Sequence, residues 1–336
     1  MDVPLPFIVL LAVVFLDAVL GFLPGLKHVF AIPLRVIRGI VGWFDERLNR
    51  KNRGRNARRF RGAFVLLVIF LPVWIGAVAL SEHARQSAYS ALIDFCVLLF
   101  LIGSSRPIAR LRSVSRALRG AYNERASRIS NILVRFDTDN MDGYGIARAA
   151  IGSSSARLVE GLFGLIFWYL LLGLPAVILY RVVGAISDVI GRSSSQHLDF
   201  GFAARRLDDI LCMPAAIIAG PILFIGAIFI PHANPIKTFS GWLQDLGTRA
   251  IRSDFRGEDA VAGAFGIALG GPQEFGEKIV PRDWIGDGRA RVMRADAHRT
   301  SWLLGLSVLL VMAAMAAAIV FFKAIILIDG AAADRV

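Results

Sequence analysis

The chain has 336 residues, of which 56% are hydrophobic and 19% charged, with a mean hydropathy of +0.59. That balance excludes an ordinary soluble enzyme, in which about a quarter of residues are charged. Lys and Arg number 38 against 26 Asp and Glu, a net charge of +12. With so much aliphatic bulk and no RNA-reading pattern of aromatic residues in the Arg runs, this excess reads as basic loops of a membrane protein, not as a nucleic-acid surface.

Residues 4–23 form a first apolar stretch, about the 20 residues needed to cross a bilayer core of roughly 30 Å. Asp2 is the only early charge and no small-residue cleavage pattern follows, so the stretch is expected to be a retained span carrying one acidic residue, Asp17. Residues 29–44 are apolar but interrupted by Pro33, Arg35 and Arg38, which favours a helix lying on the membrane surface. A dense cationic loop, 45–61, precedes a span at 62–80, and the positive-inside rule places that loop in the cytoplasm. After a linker at 81–88, residues 89–103 form a short apolar helix that crosses if the bilayer thins locally. Arg106, Arg110, Arg112, Arg116 and Arg119 then open a polar segment, 104–157, expected on the same cytoplasmic side.

The apolar run 158–190 is broken at Gly173-Leu174-Pro175, as expected of two half-helices. Broken helices persist in a bilayer where protein or a water-filled cavity satisfies the freed backbone groups, so a site is expected here. A polar stretch, 191–209, leads to an apolar run, 210–231, whose Gly220-Pro221 pair leaves crossing and turning back both open. A polar loop, 232–300, precedes the last apolar helix, 301–328. The fold class expected is all-α, a single polytopic membrane domain over residues 1–336 with broken or re-entrant helices and basic cytoplasmic loops.

Familiar catalytic motifs are absent. No GxxxxGK[ST] phosphate loop occurs, and the five histidines show no HExxH spacing. The serine triplets at 153–155 and 193–195 lack the GxSxG context of an activated nucleophile. Cys96 and Cys212 stand far apart and imply neither a disulfide framework nor a metal site. Asp17 is either functional or stabilised by the interface or a neighbouring Arg. Arg205, Arg206, Asp208 and Asp209 have the spacing of surface salt bridges, and equally of a phosphate clamp through Arg206. Asp137, Asp139 and Asp142 form either a Mg²⁺ site or an acidic turn capping the next helix. Gly266, Gly270 and Gly271 permit close backbone approach to an anion.

Several stretches, in order, resemble one family. They are Asp137-Thr138 and Gly145-Ile146-Ala147-Arg148-Ala149-Ala150, then Phe167-Trp168, Gly173-Leu174-Pro175 and Tyr180. Phe200-Gly201, Arg206-Leu207-Asp208-Asp209, Pro214-Ala215, Leu269-Gly270-Gly271-Pro272 and Gly286-Asp287-Gly288-Arg289 follow. The chain resembles, over about residues 16–299, the adenosylcobinamide-phosphate synthase (CobD/CbiB) membrane family, to which AmpE proteins are distantly similar. The resemblance implies ATP-dependent amide formation between adenosylcobyric acid and aminopropanol or its phosphate, with ATP and Mg²⁺ as cofactors if the protein is active and none otherwise. It implies a lipid bilayer, a corrinoid small molecule and possible membrane protein partners, in a bacterial inner membrane.

The family pattern is thinned of polar groups. Where it carries Glu, Glu and Asn, this chain has Gly152, Ala156 and Arg157, followed by Glu160-Gly161. Its Asn-Thr-x-Asp-Ser element reads Gly184-Ala185-Ile186-Ser187-Asp188, Gly-Asp-Pro reads Gly21-Phe22-Leu23, and the late Asn-Ala-Gly-Trp-Pro-Glu element keeps only Glu258. The surviving catalytic candidates are Asp137, Glu160, Asp188, Asp208 and Glu258. Arg206, Asp209, Gly270 and Gly271 are the cofactor-binding candidates, and no metal ligands are assigned. Two readings stand: a divergent amide ligase, and a catalytically degenerate member that binds a partner or ligand.

Overall fold

The computed structural model describes residues 5–21, 32–50, 54–120, 123–131, 141–191, 197–248, 257–275, 278–280 and 283–333. A bilayer admits backbone only where its polar groups are paired internally, and the chain meets that demand with helices. Helix α1 (Leu5–Leu20) is a short apolar rod, and α2 (Ile32–Leu48) is amphipathic. Helix α3 (Arg55–Gln86) is followed by α4 (Ser90–Leu101) and α5 (Ser105–Ala117). After α6 (Asn123–Ser130) come α7 (Gly143–Leu158), a π-helical turn (Val159–Phe163), α8 (Gly164–Leu172) and α9 (Leu174–Ile190). Then follow α10 (Phe202–Ile228), α11 (Pro235–Thr248), α12 (Glu258–Phe265), four short strands β1 to β4, and α13 (Arg294–Ala333). The strands pair in two antiparallel ladders, β1 (Leu269–Gly270) with β4 (Trp284–Ile285) and β2 (Gln273–Phe275) with β3 (Lys278–Val280).

Among the described residues five helical segments are long and apolar enough to cross a membrane: Arg55–Gln86, Ser90–Ala117, Gly143–Leu172, Phe202–Ile228 and Arg294–Ile326. The protein is an all-α, polytopic membrane protein. Phe64, Leu67, Leu71, Trp74 and Ile75 of α3 lie exposed, as does Leu309 of α13, which suits side chains that meet lipid. On α2, Ile32, Val36, Ile40 and Trp43 form one exposed apolar stripe, while Leu34 and Val41 are buried on the protein side. The run 210–231, open to two readings in sequence, lies largely within the continuous α10 despite Pro214 and Pro221.

The stretch 104–157, expected as a polar loop, is largely helical. In α5 Ile108, Leu111 and Val114 recur every three residues and form a buried face, while Arg106, Arg110, Arg112 and Arg116 stand off it. Helix α7 begins at Gly143 and is buried through Ile146, Ala147, Ala150, Ile151 and Leu158, because its small residues allow close packing. Asp142 caps it by accepting a hydrogen bond from the Gly145 N–H at 2.7 Å, the capping alternative for the acidic turn. Asp137 and Asp139 lie outside the described residues. Asp142→Ala is expected to cost about 1 kcal/mol, read as a lower melting temperature of the detergent-purified protein.

Asp17 is buried between α1 and the break that separates α4 from α5. Its carboxylate accepts hydrogen bonds from the Ser104 and Ser105 hydroxyls and from the Ser105 N–H. A carboxylate at the start of α5 satisfies the unpaired N–H end of that helix, which gives Asp17 of α1 a structural partner.

The turn before α10 is pinned to the start of α3. Asp199 accepts hydrogen bonds from Arg55 Nε at 3.0 Å and Arg59 Nε at 3.1 Å. Desolvation pushes the Asp199 carboxyl up, but the two guanidinium groups outweigh it and hold its pKa below the ordinary value. This contact therefore contributes stability above the unfolded-state pKa of about 3.9 and loses it as pH falls through the lower folded value. Acid unfolding should show a step in that window that is missing in Asp199→Asn.

Candidate functional site

Helix α7 does not continue as a regular helix. The π-helical turn at Val159–Phe163 inserts an extra residue and directs Glu160 into the interior, where it is buried. The chain then reverses at Gly173, whose φ of 76° lies in a region that favours glycine, so that α8 and α9 form a helical hairpin. Closeness across that hairpin depends on Gly164, since a Cβ there would lie 2.2 Å from the Tyr180 hydroxyl oxygen. The Tyr180 hydroxyl donates to the Glu160 carbonyl oxygen at 3.0 Å, satisfying a backbone group freed by the π turn.

Three elements deliver acidic groups to this place. Glu160 comes from the π turn, Asp188 from the end of α9, and Asp208 from the first turns of α10, all buried. One turn after Asp208, the Cys212 thiol donates weakly to Asp208 Oδ1 at 3.7 Å and lies 3.4 Å from the Tyr180 hydroxyl. Carboxylate oxygens of Glu160 and Asp208 and the Cys212 sulfur lie within 4.8 Å of one another, a grouping able to share one ion. Sequence spacing alone assigned no such set.

Asp188 is held by two arginines. Arg157 Nη1 donates to Asp188 Oδ1 at 2.7 Å, and Arg38 Nη2 of α2 donates to Asp188 Oδ2 at 2.8 Å. Arg157 also lies 3.7 Å from Glu160 Oε2, one helical turn away, so it bridges two of the carboxylates. Burial pushes the Arg38 pKa down, Asp188 works against that, and neighbouring Arg157 and Arg181 add to the lowering. Arg106 and Arg110 of α5 also interact electrostatically with Arg38.

Two glycines make room for carboxylates. A Cβ on Gly184 would lie 3.5 Å from Asp208 Oδ1, and one on Gly152 would lie 3.5 Å from Glu258 Oε1. Gly152 stands where the family pattern has a Glu, so the buried Glu258 carboxylate, delivered by α12, approaches the place of the missing side chain.

Of the sequence candidates, Glu160, Asp188 and Asp208 meet, and Glu258 reaches the same helix, α7, near Gly152. Asp137 lies outside the described residues. Arg206 is exposed on α10, two residues from the inward-facing Asp208, and Asp209 is half-buried beside it. Gly270 and Gly271 have φ of 70° and 78°, and their missing side chains accommodate the Asp283 carbonyl oxygen and the Trp284 ring, so close packing accounts for both glycines. Sequence reasoning missed Arg38, Tyr180 and Cys212 as members. The signals were Arg38 interrupting an apolar run and Cys212 standing at i+4 from Asp208.

A family model described as CobD/Cbib protein matches residues 9–304. The chain belongs to the CobD/Cbib family. It is similar to the Cobalamin biosynthesis protein CobD of Sinorhizobium sp., 30% identical over 253 residues that cover 74% of this chain and 78% of the relative. The protein of the same name from Rhizobium meliloti (strain 1021) is 28% identical over 84% of this chain and 88% of its own length. That of Clostridium perfringens (strain 13 / Type A) is 26% identical, covering 82% and 87%. No solved structure matches the chain. The π turn, the α8–α9 hairpin and the start of α10 all lie inside the matched CobD/Cbib region.

Proposed function

We propose that this CobD/Cbib member acts in cobalamin biosynthesis as a membrane-embedded amide ligase, joining aminopropanol or its phosphate to adenosylcobyric acid in an ATP-dependent reaction. The observation that carries this reading is the meeting of Glu160, Asp188 and Asp208 around the π turn. Ionisable side chains inside membrane segments are costly, and such a cluster favours chemistry over packing.

Amide formation needs a neutral amine, and an amine reaches the site as its ammonium form at neutral pH. Glu160 and Asp208 are placed to bind that ammonium and accept its proton, while Tyr180 and Cys212 hold the neighbouring geometry. Asp188, fixed between Arg38 and Arg157, positions those guanidinium groups for anionic oxygens of the substrates. The residues fit the expected cofactors in part. The oxygens of Glu160 and Asp208 suit Mg²⁺, whereas the Cys212 thiol is a soft donor that does not. Bound Mg-ATP supplies activation of the corrinoid carboxylate, and Arg38, Arg106, Arg110 and Arg157 supply the positive charge its phosphates need.

A second reading is favoured by one contact. Arg157 stands where the family pattern has Asn and neutralises Asp188 and Glu160 internally, which suits a member that binds a corrinoid or a membrane protein partner without turnover. In either reading the protein resides in a bacterial inner membrane with its arginine-rich segments toward the cytoplasm.

The test is incubation of the purified, lipid-reconstituted protein with adenosylcobyric acid, aminopropanol phosphate and Mg-ATP, with the amide followed by mass spectrometry. Mg-ATP-dependent product is expected. Saturable corrinoid binding without product would replace the ligase with the binding reading, and absence of both would overturn the corrinoid assignment and turn attention to partners crosslinked in native membranes.

A further inference from the structure

A groove of about 720 Å³ lies between the end of α1, the length of α5 and the stretch Trp302–Leu309 of α13, and none of the clustered carboxylates lines it. Its two ends differ in chemistry. Toward the C-terminal end of α5 stand Arg112 and Arg116, with Trp302 of α13 beside them; beyond them Ile108, Leu306 and Leu309 present apolar wall, up to Ser104 and Ser105, whose hydroxyls are taken by Asp17. The two helices run antiparallel and are fastened at the basic end, where Arg294 Nε donates to the Ser115 carbonyl oxygen at 3.1 Å and the Ser115 hydroxyl donates to the Arg294 carbonyl oxygen at 3.3 Å.

The basic end has unspent charge. The Arg112 guanidinium lies over the Trp302 ring at 5.5 Å from its centroid, and Arg116 donates to the Ser113 hydroxyl at 3.2 Å. Among the described residues neither forms a salt bridge with a carboxylate. Trp302 is 57% exposed and Leu309 59%, so the groove opens outward from α13 over a distance of about 10 Å at the helical rise of ~1.5 Å per residue. A tryptophan beside arginines at the head of an apolar channel matches the headgroup level of a bilayer, where indole rings anchor and guanidinium forks bind phosphate.

We propose that this groove is a binding site for an anionic phospholipid, its phosphate held by Arg112 and Arg116 and an acyl chain laid along Ile108, Leu306 and Leu309. The charge of the head and the apolar length of the wall are both needed: a free phosphate leaves the wall bare, and the quaternary ammonium of a zwitterionic lipid brings a positive charge beside the two guanidinium groups. Basic pockets between membrane helices recognise lipid headgroups on these physical grounds.

The full-length protein, delipidated in detergent, is titrated with phosphatidylglycerol, with phosphatidylcholine of the same acyl chains, and with glycerol 3-phosphate, and occupancy is read by native mass spectrometry. Phosphatidylglycerol is expected to bind at least about tenfold more tightly than phosphatidylcholine, because only the latter sets a cation beside Arg112 and Arg116. Glycerol 3-phosphate is expected not to compete. Arg112→Gln with Arg116→Gln should remove the preference. Gly305→Leu keeps both arginines and places new bulk in the groove, where a Cβ would already lie 3.4 Å from Arg112 Nη2, and should lower occupancy by both lipids. Equal binding of the two lipids, competition by glycerol 3-phosphate, or an unchanged preference in the double variant would each overturn the site. Should the double variant not fold, undiminished lipid occupancy in Gly305→Leu would overturn it equally.

Discussion

Asp208→Asn is expected to lower Mg-ATP-dependent amide formation by at least about a hundredfold, within the ~10²–10⁴ that a positioned acid or base contributes. The substitution keeps shape and can still accept from the Cys212 thiol, so the helix contacts of α10 survive. What it removes is the negative charge beside Glu160 and the capacity to take a proton from an ammonium group. Space at the position is set by Gly184, which an amide fits as well as a carboxylate does. Product formation by mass spectrometry and corrinoid binding by calorimetry are to be measured on the same preparation, with the loss expected in the first and not in the second. Normal turnover in Asp208→Asn would remove this carboxylate from the reaction and leave Glu160 as the base.

Arg157→Asn, which installs the residue type of the family pattern, is expected to destabilise the protein by about 3 kcal/mol, the lower end of the ~3–5 kcal/mol for breaking a buried ion pair. The lower end applies because Arg38 still pairs with Asp188, whereas Glu160 loses the guanidinium at 3.7 Å. Thermal unfolding in detergent reads the loss, and combining the variant with Asp188→Asn separates pair energy from the rest: the double variant should lose less than the sum of the singles. Normal melting together with weakened corrinoid binding would instead make Arg157 a recognition group for an anionic ligand.

Much of this architecture is legible from residue order. Gly173 and Pro175 mark the reversal between α8 and α9 because only glycine readily takes the positive φ found there and proline suits a helix start. The apolar run within α3 is long enough to span without help from any neighbour. By contrast, α5 and α7 were hidden inside a segment whose average polarity resembles a loop. Ile108, Leu111 and Val114, three apart, give α5 a buried face that an average cannot reveal, and the glycines and serines of α7 become core only against neighbouring helices.

The candidate site divides in the same way. Glu160, Asp188, Asp208 and Glu258 were each identifiable as residues by their place in the family pattern, but not as neighbours. Arg206 lies two residues before Asp208 and Asp209 directly after it, yet each residue of helix turns the side chain by about 100°, and Arg206 projects outward where Asp208 is buried. Glu258 reaches the space beside Gly152 across 106 positions of sequence (258 − 152) because α12 packs against α7. Composition, charge and hydrophobic run length therefore determined a basic, polytopic helical membrane protein, since those properties act through local partition between water and lipid. Only the tertiary structure decided which charges share a site, because burial of a carboxylate depends on the partner that another helix brings to it.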